Sequence, residues 1–476
     1  MDAPSPRHRP YIPNQIILSG PPGRIEAMLA KTDAGLSQAL RLLTQASFTL
    51  SAPGGREQRP MTGRPPEPET RELRLYRLEG DESQLLDALL SHRRGFADVI
   101  IERNYLTRAI PWTGGGSPWT GGGSPWTGRG SPWTAGGSPW TVGSGVWTDM
   151  SGSGGDFIRR RAERIFREQW AFGPDGVNAR GILNAPTGDD DDGKDVVVGV
   201  FDTSPFPVSF TSVSLEMPPA PLTLTLRHPI PGGAPGGCGR GLANHGFFVA
   251  GLIHALAPAA DIQLIRVLDD TAQGTLFSLV TALYQFMSSL PEGQRAVINL
   301  SLGFQGSDEE GAVDWDGPDL LRDVLQRAYE RNIVTVAAAG NENDGGNEDI
   351  PAEFPARWKF VVAVAACDSK KRRACFSNQG DVMAPGGNGL KNCQSPAGRW
   401  HDGDCPYAVI SLDVGAFTGY SYGIGTSFAA PMVAGLAARL QARLGALAAG
   451  GPGAGGDQVR ELILASAAAD GVIKVA

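Results

Sequence analysis

The stretch GIGTSFAAPMVAGLAARL, residues 423–440, joins a polar start to a run of small and aliphatic residues. Proline is tolerated in the first turn of a helix, where its missing N–H has no intrahelical partner, so Pro431 predicts a helix that starts near Ser427. A helix this apolar is expected to be buried. The Ser427 hydroxyl would then lie at the positive end of a buried helix.

Four near-continuous aliphatic runs precede this stretch, and such runs are typical of parallel strands covered on both faces. Helical stretches, such as residues 274–290 and 319–332, lie between them. The alternation predicts an α/β fold with a doubly wound, mostly parallel sheet, which binds ligands at the carboxyl ends of its strands. The runs are DVVVGVFD (195–202), DIQLIRVL (261–268), RAVINLSLG (295–303) and NIVTVAAAGN (332–341).

The N-terminal region has a different pattern. Its predicted order β-α-β-β-α-β is that of a small ferredoxin-like α+β domain, which we place at residues 12–109. Residues 24–46 are predicted as one helix and residues 47–52 as the next strand. A second helix, residues 82–94, carries four leucines on one face: Leu85, Leu86, Leu89 and Leu90.

A seven-residue repeat, beginning PWTGGGS, runs from residue 111 to residue 148. Glycine and serine at this density cannot bury enough surface to offset backbone entropy, so residues 110–150 are predicted to be a flexible linker. The third region, residues 156–472, contains the four aliphatic runs and the apolar helix.

Composition excludes several classes of function. The 476 residues carry a net charge of −8 and a pI near 5.4, which argues against nucleic acid or an anionic membrane as the main partner. No apolar run reaches the roughly 18 residues that a membrane span needs, and the N-terminus lacks a secretory signal, so we expect a cytoplasmic protein. The five cysteines fit neither a disulfide framework nor a zinc site, which indicates bystander thiols.

Polar residues of four chemical kinds lie at the ends of predicted strands or helices. They are Asp202, His245, Asn341 and Ser427. A nucleophilic serine needs a base for its proton, a carboxylate to orient that base and a donor for the oxyanion. Each residue alone is a weak signal, because it could equally cap a helix or close a turn. Together they favour acyl-transfer chemistry.

These motifs, which cover residues 156–470, resemble those of subtilisin-like (subtilase) serine proteases. VGVFDTS (198–204) is similar to the aspartate motif of that family, NHGFFVAG (244–251) to its histidine motif, AAAGNE (337–342) to its asparagine motif and GTSFAAPMVAG (425–435) to its serine motif. The order Asp, His, Ser is also that of the family. Three positions depart from the family pattern: Ser204, Phe247 and Phe248. The phenylalanines predict altered packing behind the site.

The resemblance implies Ser427 as nucleophile, His245 as general base and then acid, Asp202 as the orienting carboxylate and Asn341 as oxyanion donor. It implies a protein or peptide substrate and no cofactor or catalytic metal. The acidic run Asp189–Asp192 lacks the ligand spacing of a defined calcium site, so a solvated turn is favoured. The residues expected to bind substrate are Gly274, Ser301, Leu302, Gly303, Ala338, Ala339 and Gly340.

Substrate preference is left open by the sequence. Acidic residues beyond Asn341 could favour a basic P1 side chain or could simply form a solvated loop. They are Glu342, Asp344, Glu348 and Asp349.

The N-terminal domain resembles the inhibitory propeptide of the same family, and VIIERNYLTRAI (99–110) is similar to its last strand and tail. Alignment by length puts Ile110 at P1 and Pro111 at P1′, where proline should impair cleavage. We therefore expect this domain to stay attached as an intramolecular inhibitor. The alternative is an ordinary folding domain with an overlong spacer.

Two other functions compete with a peptidase. An idle protein could use the cleft only to hold a peptide, although the complete set of four residues argues against this. A serine esterase or acyltransferase usually has a G-x-S-x-G turn, and Ser427 does not stand in one.

Overall fold

The structure, a computed structural model, describes twelve segments of the chain in two compact units. The first unit holds the described residues of Met1–Arg108, Gln273–Gln294 and Phe304–Arg331, and the second those of Ala109–Ala272, Arg295–Gly303 and Asn332–Ala476. The predicted linker lies outside the described residues, so the predicted domain boundaries stay predictions. The described segments are 11–32, 34–50, 69–109, 162–184, 192–229, 241–304, 315–343, 350–388, 408–414, 419–447, 456–467 and 471–473.

A four-stranded antiparallel sheet forms the N-terminal part of the first unit. Its order is Ile100–Ala109, Tyr11–Gly20, Glu69–Leu78 and Leu40–Leu50, as expected for a ferredoxin-like domain. A short strand, Gln273–Thr275, pairs antiparallel with Ile100–Ala109. The α-helices of this unit are Arg24–Leu29, Ala34–Gln38, Glu82–His92, Leu276–Ser289 and Asp319–Glu330, and a 3₁₀ turn spans Arg93–Gly95.

The single helix predicted for residues 24–46 is wrong. The first helix ends at Leu29, a second spans Ala34–Gln38, and the remainder belongs to strand Leu40–Leu50. Pairing with Glu69–Leu78 overrides the helical propensity of this leucine-rich segment, and Leu42 is left 45% exposed on the sheet edge.

The helix predicted over residues 82–94 is present as Glu82–His92, but its leucine face is narrower than expected. Leu89 is fully buried, whereas Leu90 is 39% exposed.

An eight-stranded sheet organises the second unit and confirms the predicted α/β class. Neighbouring strands are parallel except for the last pair, which is antiparallel. The order is Val382–Pro385, Val361–Cys367, Val334–Ala338, Arg295–Leu300, Val196–Asp202, Asp261–Arg266, Leu222–Arg227 and Ser212–Leu215. A separate hairpin joins Val409–Leu412 to Tyr420–Gly423.

The two longest helices of the second unit pack directly against each other. We call His245–Leu256 the histidine helix and Thr426–Leu447 the serine helix. Every residue of the histidine helix is buried, and a Cβ atom at Gly435 would lie 2.7 Å from the Cβ atom of Leu256. The small residues of both helices therefore permit a close crossing. Residues 162–168, Arg180–Asn184 and Gly456–Ser466 are also α-helical in this unit, and 3₁₀ turns span Trp170–Phe172 and Gly241–Asn244.

Across the described residues, no helix has the length and apolar character that crossing a membrane requires.

The start of the histidine helix touches the end of strand Val196–Asp202. A Cβ atom at Gly246 would lie 2.2 Å from the carbonyl oxygen of Thr203 and 2.8 Å from the Cβ atom of Asp202. The nearer of these is a backbone atom and cannot rotate away. Only glycine fits at this position without moving the helix from the strand.

Gly246→Ala should therefore destabilise the fold by roughly 3 kcal/mol through overpacking. Gly181→Ala is the matched control, because a Cβ atom at this helical glycine would meet no heavy atom within 4 Å beyond its own stretch of helix backbone. It should be neutral, or stabilising by up to about 1 kcal/mol. Chemical denaturation of both variants in a Ser427→Ala chain measures the difference. Equal unfolding midpoints would contradict the packing argument.

Candidate active site

Asp202 and His245 form the central hydrogen bond of the site. Asp202 ends its strand, His245 begins the histidine helix, and both are fully buried. His245 Nδ1 lies 2.8 Å from Asp202 Oδ1 and 2.9 Å from Oδ2. Because the carboxylate accepts, Nδ1 carries the proton, and Nε2 is left to act as a base. Among the described residues, Nε2 has no hydrogen-bond partner.

Ser427 is the second residue of the serine helix and is also fully buried. Its Oγ atom donates to the carbonyl oxygen of Ser301 at 3.1 Å. The contact with His245 expected from the sequence is therefore not made as a hydrogen bond, because the Ser301 carbonyl takes the only hydroxyl proton. The neighbouring Phe428 ring lies 5.2 Å from the imidazole, centroid to centroid.

Asn341 is attached to the start of the serine helix through its amide oxygen. Oδ1 accepts hydrogen bonds from the backbone nitrogen and from Oγ1 of Thr426, each at 3.0 Å. Thr426 Oγ1 in turn accepts from the Gly340 nitrogen at 3.2 Å. These bonds fix the plane of the Asn341 amide, so its Nδ2 donor has a defined direction.

Aromatic rings pack behind the imidazole where the family pattern differs. Phe248 lies 4.5 Å from Phe428 between centroids, and Phe247 meets Phe206 edge to face at 5.1 Å. That this packing differs from the family's stays a prediction.

The residues predicted to bind substrate divide between the two units. Ser301 to Gly303 follow strand Arg295–Leu300, and Ala338 to Gly340 end strand Val334–Ala338 and continue beyond it. Gly274 belongs to the first unit, where it pairs with Thr107. Their role in binding stays a prediction.

Glu342 is held by a neighbouring amide. Its Oε2 atom accepts from Asn378 Nδ2 at 2.9 Å, and its backbone nitrogen donates to Asn378 Oδ1 at 3.1 Å. The other three acidic residues of this loop lie outside the described residues.

Three hydrogen-bonding residues near the site were not identified from the sequence. Thr203 Oγ1 accepts from the Gly246 nitrogen at 3.1 Å and donates to the Ala243 carbonyl at 3.0 Å, which joins strand to helix. Thr426 orients Asn341, as described above. Asn299 donates from Nδ2 to Ser301 Oγ at 3.0 Å. The one available signal was Asn299 itself, a polar residue within an aliphatic strand.

His254, near the end of the histidine helix, is a second buried imidazole. Its Nε2 atom donates to the Ala220 carbonyl at 2.8 Å. Burial lowers the pKa of His254 to about 4, so this ring is neutral near pH 7. It therefore serves as a structural donor.

Asp192, from the acidic run, pairs with Arg439 at 2.6 Å in a largely buried contact. The other three aspartates of the run lie outside the described residues. Within the described segments, no cluster of three or more His, Cys, Asp or Glu side chains could hold a metal ion. Of the two described cysteines, Cys367 is buried and Cys375 is exposed.

Subtilisins are among the known proteins with similar sequences. Subtilisin E of Bacillus subtilis (strain 168) is 33% identical over 208 residues, which cover 41% of this chain and 45% of the relative. Subtilisin DY of Bacillus licheniformis is 34% identical over 155 residues, covering 30% of this chain and 51% of the relative. The chain thus spans about half the length of these relatives. Among solved structures, a lanthipeptide protease matches at 21% identity with a TM-score of 0.46, covering 66% of this chain and 90% of that one.

The model of the Subtilase family matches residues 232–475. The match includes three of the four polar residues of the site and begins after Asp202. Because it spans more than half of the 476 residues, this chain belongs to the subtilase family.

Proposed function

We propose that the protein is a serine endopeptidase that cuts peptide bonds with Asp202, His245 and Ser427. The observation that carries this proposal is the buried hydrogen bond between Asp202 and His245 Nδ1, which leaves Nε2 as a base beside the serine helix. Membership of the subtilase family supports the same activity.

The reaction starts with a rotation of the Ser427 side chain from the Ser301 carbonyl toward His245 Nε2. The imidazole takes the hydroxyl proton while Oγ attacks the substrate carbonyl carbon. Asp202 keeps the proton on Nδ1 and stabilises the imidazolium that forms. His245 then gives its proton to the leaving amine, and an acyl-enzyme remains on Ser427. Water, activated by the same imidazole, hydrolyses this ester.

Two donors would meet the oxyanion of the tetrahedral intermediate. The first is Nδ2 of Asn341, whose amide is oriented by Thr426. The second is the Ser427 backbone N–H in the first turn of the serine helix. The neighbouring N–H groups are already used, since Thr426 donates to Asn341 and Phe428 donates to the Gly425 carbonyl at 3.1 Å. The positive end of the helix adds a favourable field.

A fluorophosphonate probe on the full chain, with peptide substrates and simple esters assayed in parallel, tests this proposal. We expect labelling of wild type but not of Ser427→Ala, together with peptide cleavage. No labelling of wild type or of Phe48→Ala, which should weaken the inhibitory attachment proposed below, would favour an idle peptide-binding protein, and ester hydrolysis without peptide cleavage would favour an esterase.

Asn341→Ala should lower kcat by a factor on the order of 10² to 10³, because a side-chain oxyanion donor contributes about 3 to 4 kcal/mol in the transition state. Asn341→Asp is the matched control, because it keeps an acceptor for Thr426 but lacks the Nδ2 donor. Steady-state kinetics and denaturation of both variants check the assignment. Aspartate should preserve stability and still lose turnover. An active Asn341→Asp enzyme would show that another group stabilises the oxyanion.

We further propose that the N-terminal domain acts as a tethered inhibitor. Its last strand, Ile100–Ala109, pairs with Gln273–Thr275 and places Thr107 opposite Gly274. Gly274 is the position where a substrate peptide is expected to pair. The strand therefore occupies a backbone edge that a substrate would need.

The same strand caps two helices of its unit. Glu102 accepts from the backbone nitrogens of Asp319 and Leu320 at 2.8 and 2.9 Å, and Asn104 Oδ1 accepts from the Phe277 nitrogen at 3.1 Å. Burial raises the pKa of Glu102 to about 8, against the opposing effect of the two N–H donors. The N–H groups in the first turn of each helix have no partner within the helix, and these side chains supply one.

Other side chains of the antiparallel sheet also bind these two helices, Leu276–Ser289 and Asp319–Glu330. Phe48 stacks on Tyr284 with 5.5 Å between centroids and an interplanar angle of 4°. Arg71 lies 3.7 Å from Asp323, and Glu69 pairs with Arg327. The sheet is thus held by both a stacked ring pair and an ionic network.

Phe48→Ala should weaken this attachment and raise peptide hydrolysis by the full-length chain about tenfold, the effect of losing an aromatic pair worth about 1.4 kcal/mol. Leu42→Ala, on the exposed part of the same strand, is the control and should leave the rate unchanged.

Gel analysis of wild type beside Ser427→Ala reports self-cleavage. Prompt loss of the N-terminal domain in wild type alone would reject a lasting tether.

A further inference from the structure

The carbonyl oxygen of Ser427 lacks the partner that an α-helix normally supplies. In a helix, the carbonyl of one residue accepts from the N–H of the residue four positions later. That residue is Pro431, which lies inside the serine helix and has no N–H. Ser427 is fully buried, so water is not at hand to replace the missing donor. A buried carbonyl in this state is unfavourable unless another group donates to it.

Ser301 supplies the missing donor. Its Oγ atom donates to the Ser427 carbonyl oxygen at 2.8 Å. Ser301 Oγ accepts in turn from Asn299 Nδ2 at 3.0 Å. Both residues are fully buried. The Ser301 hydroxyl accepts from Asn299 through a lone pair and has a single proton to donate. That proton is used in the bond to the Ser427 carbonyl oxygen.

The backbone of Ser301 makes a second contact with the same residue, because its carbonyl accepts from Ser427 Oγ at 3.1 Å. The two serines are therefore joined in both directions. Of these two bonds, the one from Ser301 Oγ involves the main chain of Ser427 and the other involves its side chain. The first bond therefore persists when the Ser427 hydroxyl rotates toward His245.

We propose that Asn299 and Ser301 are positioning residues, which replace the helical hydrogen bond removed by Pro431 and so hold the main chain of Ser427 in place. This proposal rests on the proposed peptidase function for its effect on rate. The side chains act through Ser427 and do not themselves react. A purely space-filling role would make their effect independent of residue 431.

A double-mutant cycle between residues 301 and 431 tests this. Ser301→Ala in the full chain should lower kcat about tenfold to hundredfold with little change in KM, because the nucleophile is misplaced and not the peptide. Pro431→Ala restores an N–H that can donate to the Ser427 carbonyl. In the Pro431→Ala background, Ser301→Ala should therefore cost no more than about threefold.

Thr335→Val is the control for loss of a buried hydroxyl. Thr335 lies in the adjacent strand Val334–Ala338, and its Oγ1 atom has no hydrogen-bond partner among the described residues. Its removal should leave kcat and KM unchanged. Asn299→Leu should lower kcat less than Ser301→Ala and add little to it in the double variant. An equal cost of Ser301→Ala with either residue at 431 would overturn the proposal.

The same cycle measured by chemical denaturation in a Ser427→Ala chain separates the two proposals, because the residue 427 carbonyl is retained there. If wild type cleaves no peptide but the unfolding midpoints of the four variants are coupled, the peptidase assignment fails and the hydrogen-bond replacement stands. Additive midpoints would overturn the replacement, whatever the activity.

Discussion

The hydrogen bond between Asp202 and His245 is the contact on which the second unit depends. A fully buried carboxylate is strongly unfavourable unless donors surround it, and here they are the Thr203 nitrogen at 2.6 Å and His245 Nδ1 at 2.8 Å. The end of a central strand and the start of a helix must therefore touch. Thr203 Oγ1 and the missing side chain of Gly246 make this approach feasible. The same contact therefore fixes both the geometry of the proposed catalytic pair and the packing of the helix against the sheet.

The serine helix makes polar contacts with other elements near its start and again past its middle. Near its start, Ser301 and Asn341 hold Ser427 and Thr426. Farther along, Arg439 Nη1 donates to Asp192 and to the Leu256 carbonyl at the end of the histidine helix. Between these points, residues 428–438 of the serine helix are all apolar. The position of Ser427 relative to His245 is thus set by contacts along the helix pair.

Much of this architecture could be predicted, because buried parallel strands have an aliphatic pattern that is local in the sequence. The runs that end at Asp202 and near Asn341 are examples, and the helices around Leu276–Ser289 and Asp319–Glu330 were also found. Residues 40–46, the first part of strand Leu40–Leu50, were predicted as helix because their pairing with Glu69–Leu78 is a tertiary effect that the leucine pattern does not encode.

The site was predictable in its residue types and less so in its hydrogen bonds. The family motifs identify Ser427, but they do not reveal that its hydroxyl points to the Ser301 carbonyl. Ser301 was expected only to line the substrate pocket, and the structure gives its hydroxyl a partner in the main chain of Ser427. Such contacts depend on atomic distances between segments over a hundred residues apart, so no local pattern carries them.

The membership of the first unit has a practical consequence for recombinant work. Helices Leu276–Ser289 and Asp319–Glu330 come late in the chain but share this unit with the N-terminal sheet. An expression fragment that begins after the linker would keep both helices, lose the groups that cap them, and present the ring of Tyr284, now 1% exposed, to solvent. A stable shortened protein therefore needs the sheet supplied as a separate chain, or new capping groups and polar residues at these positions.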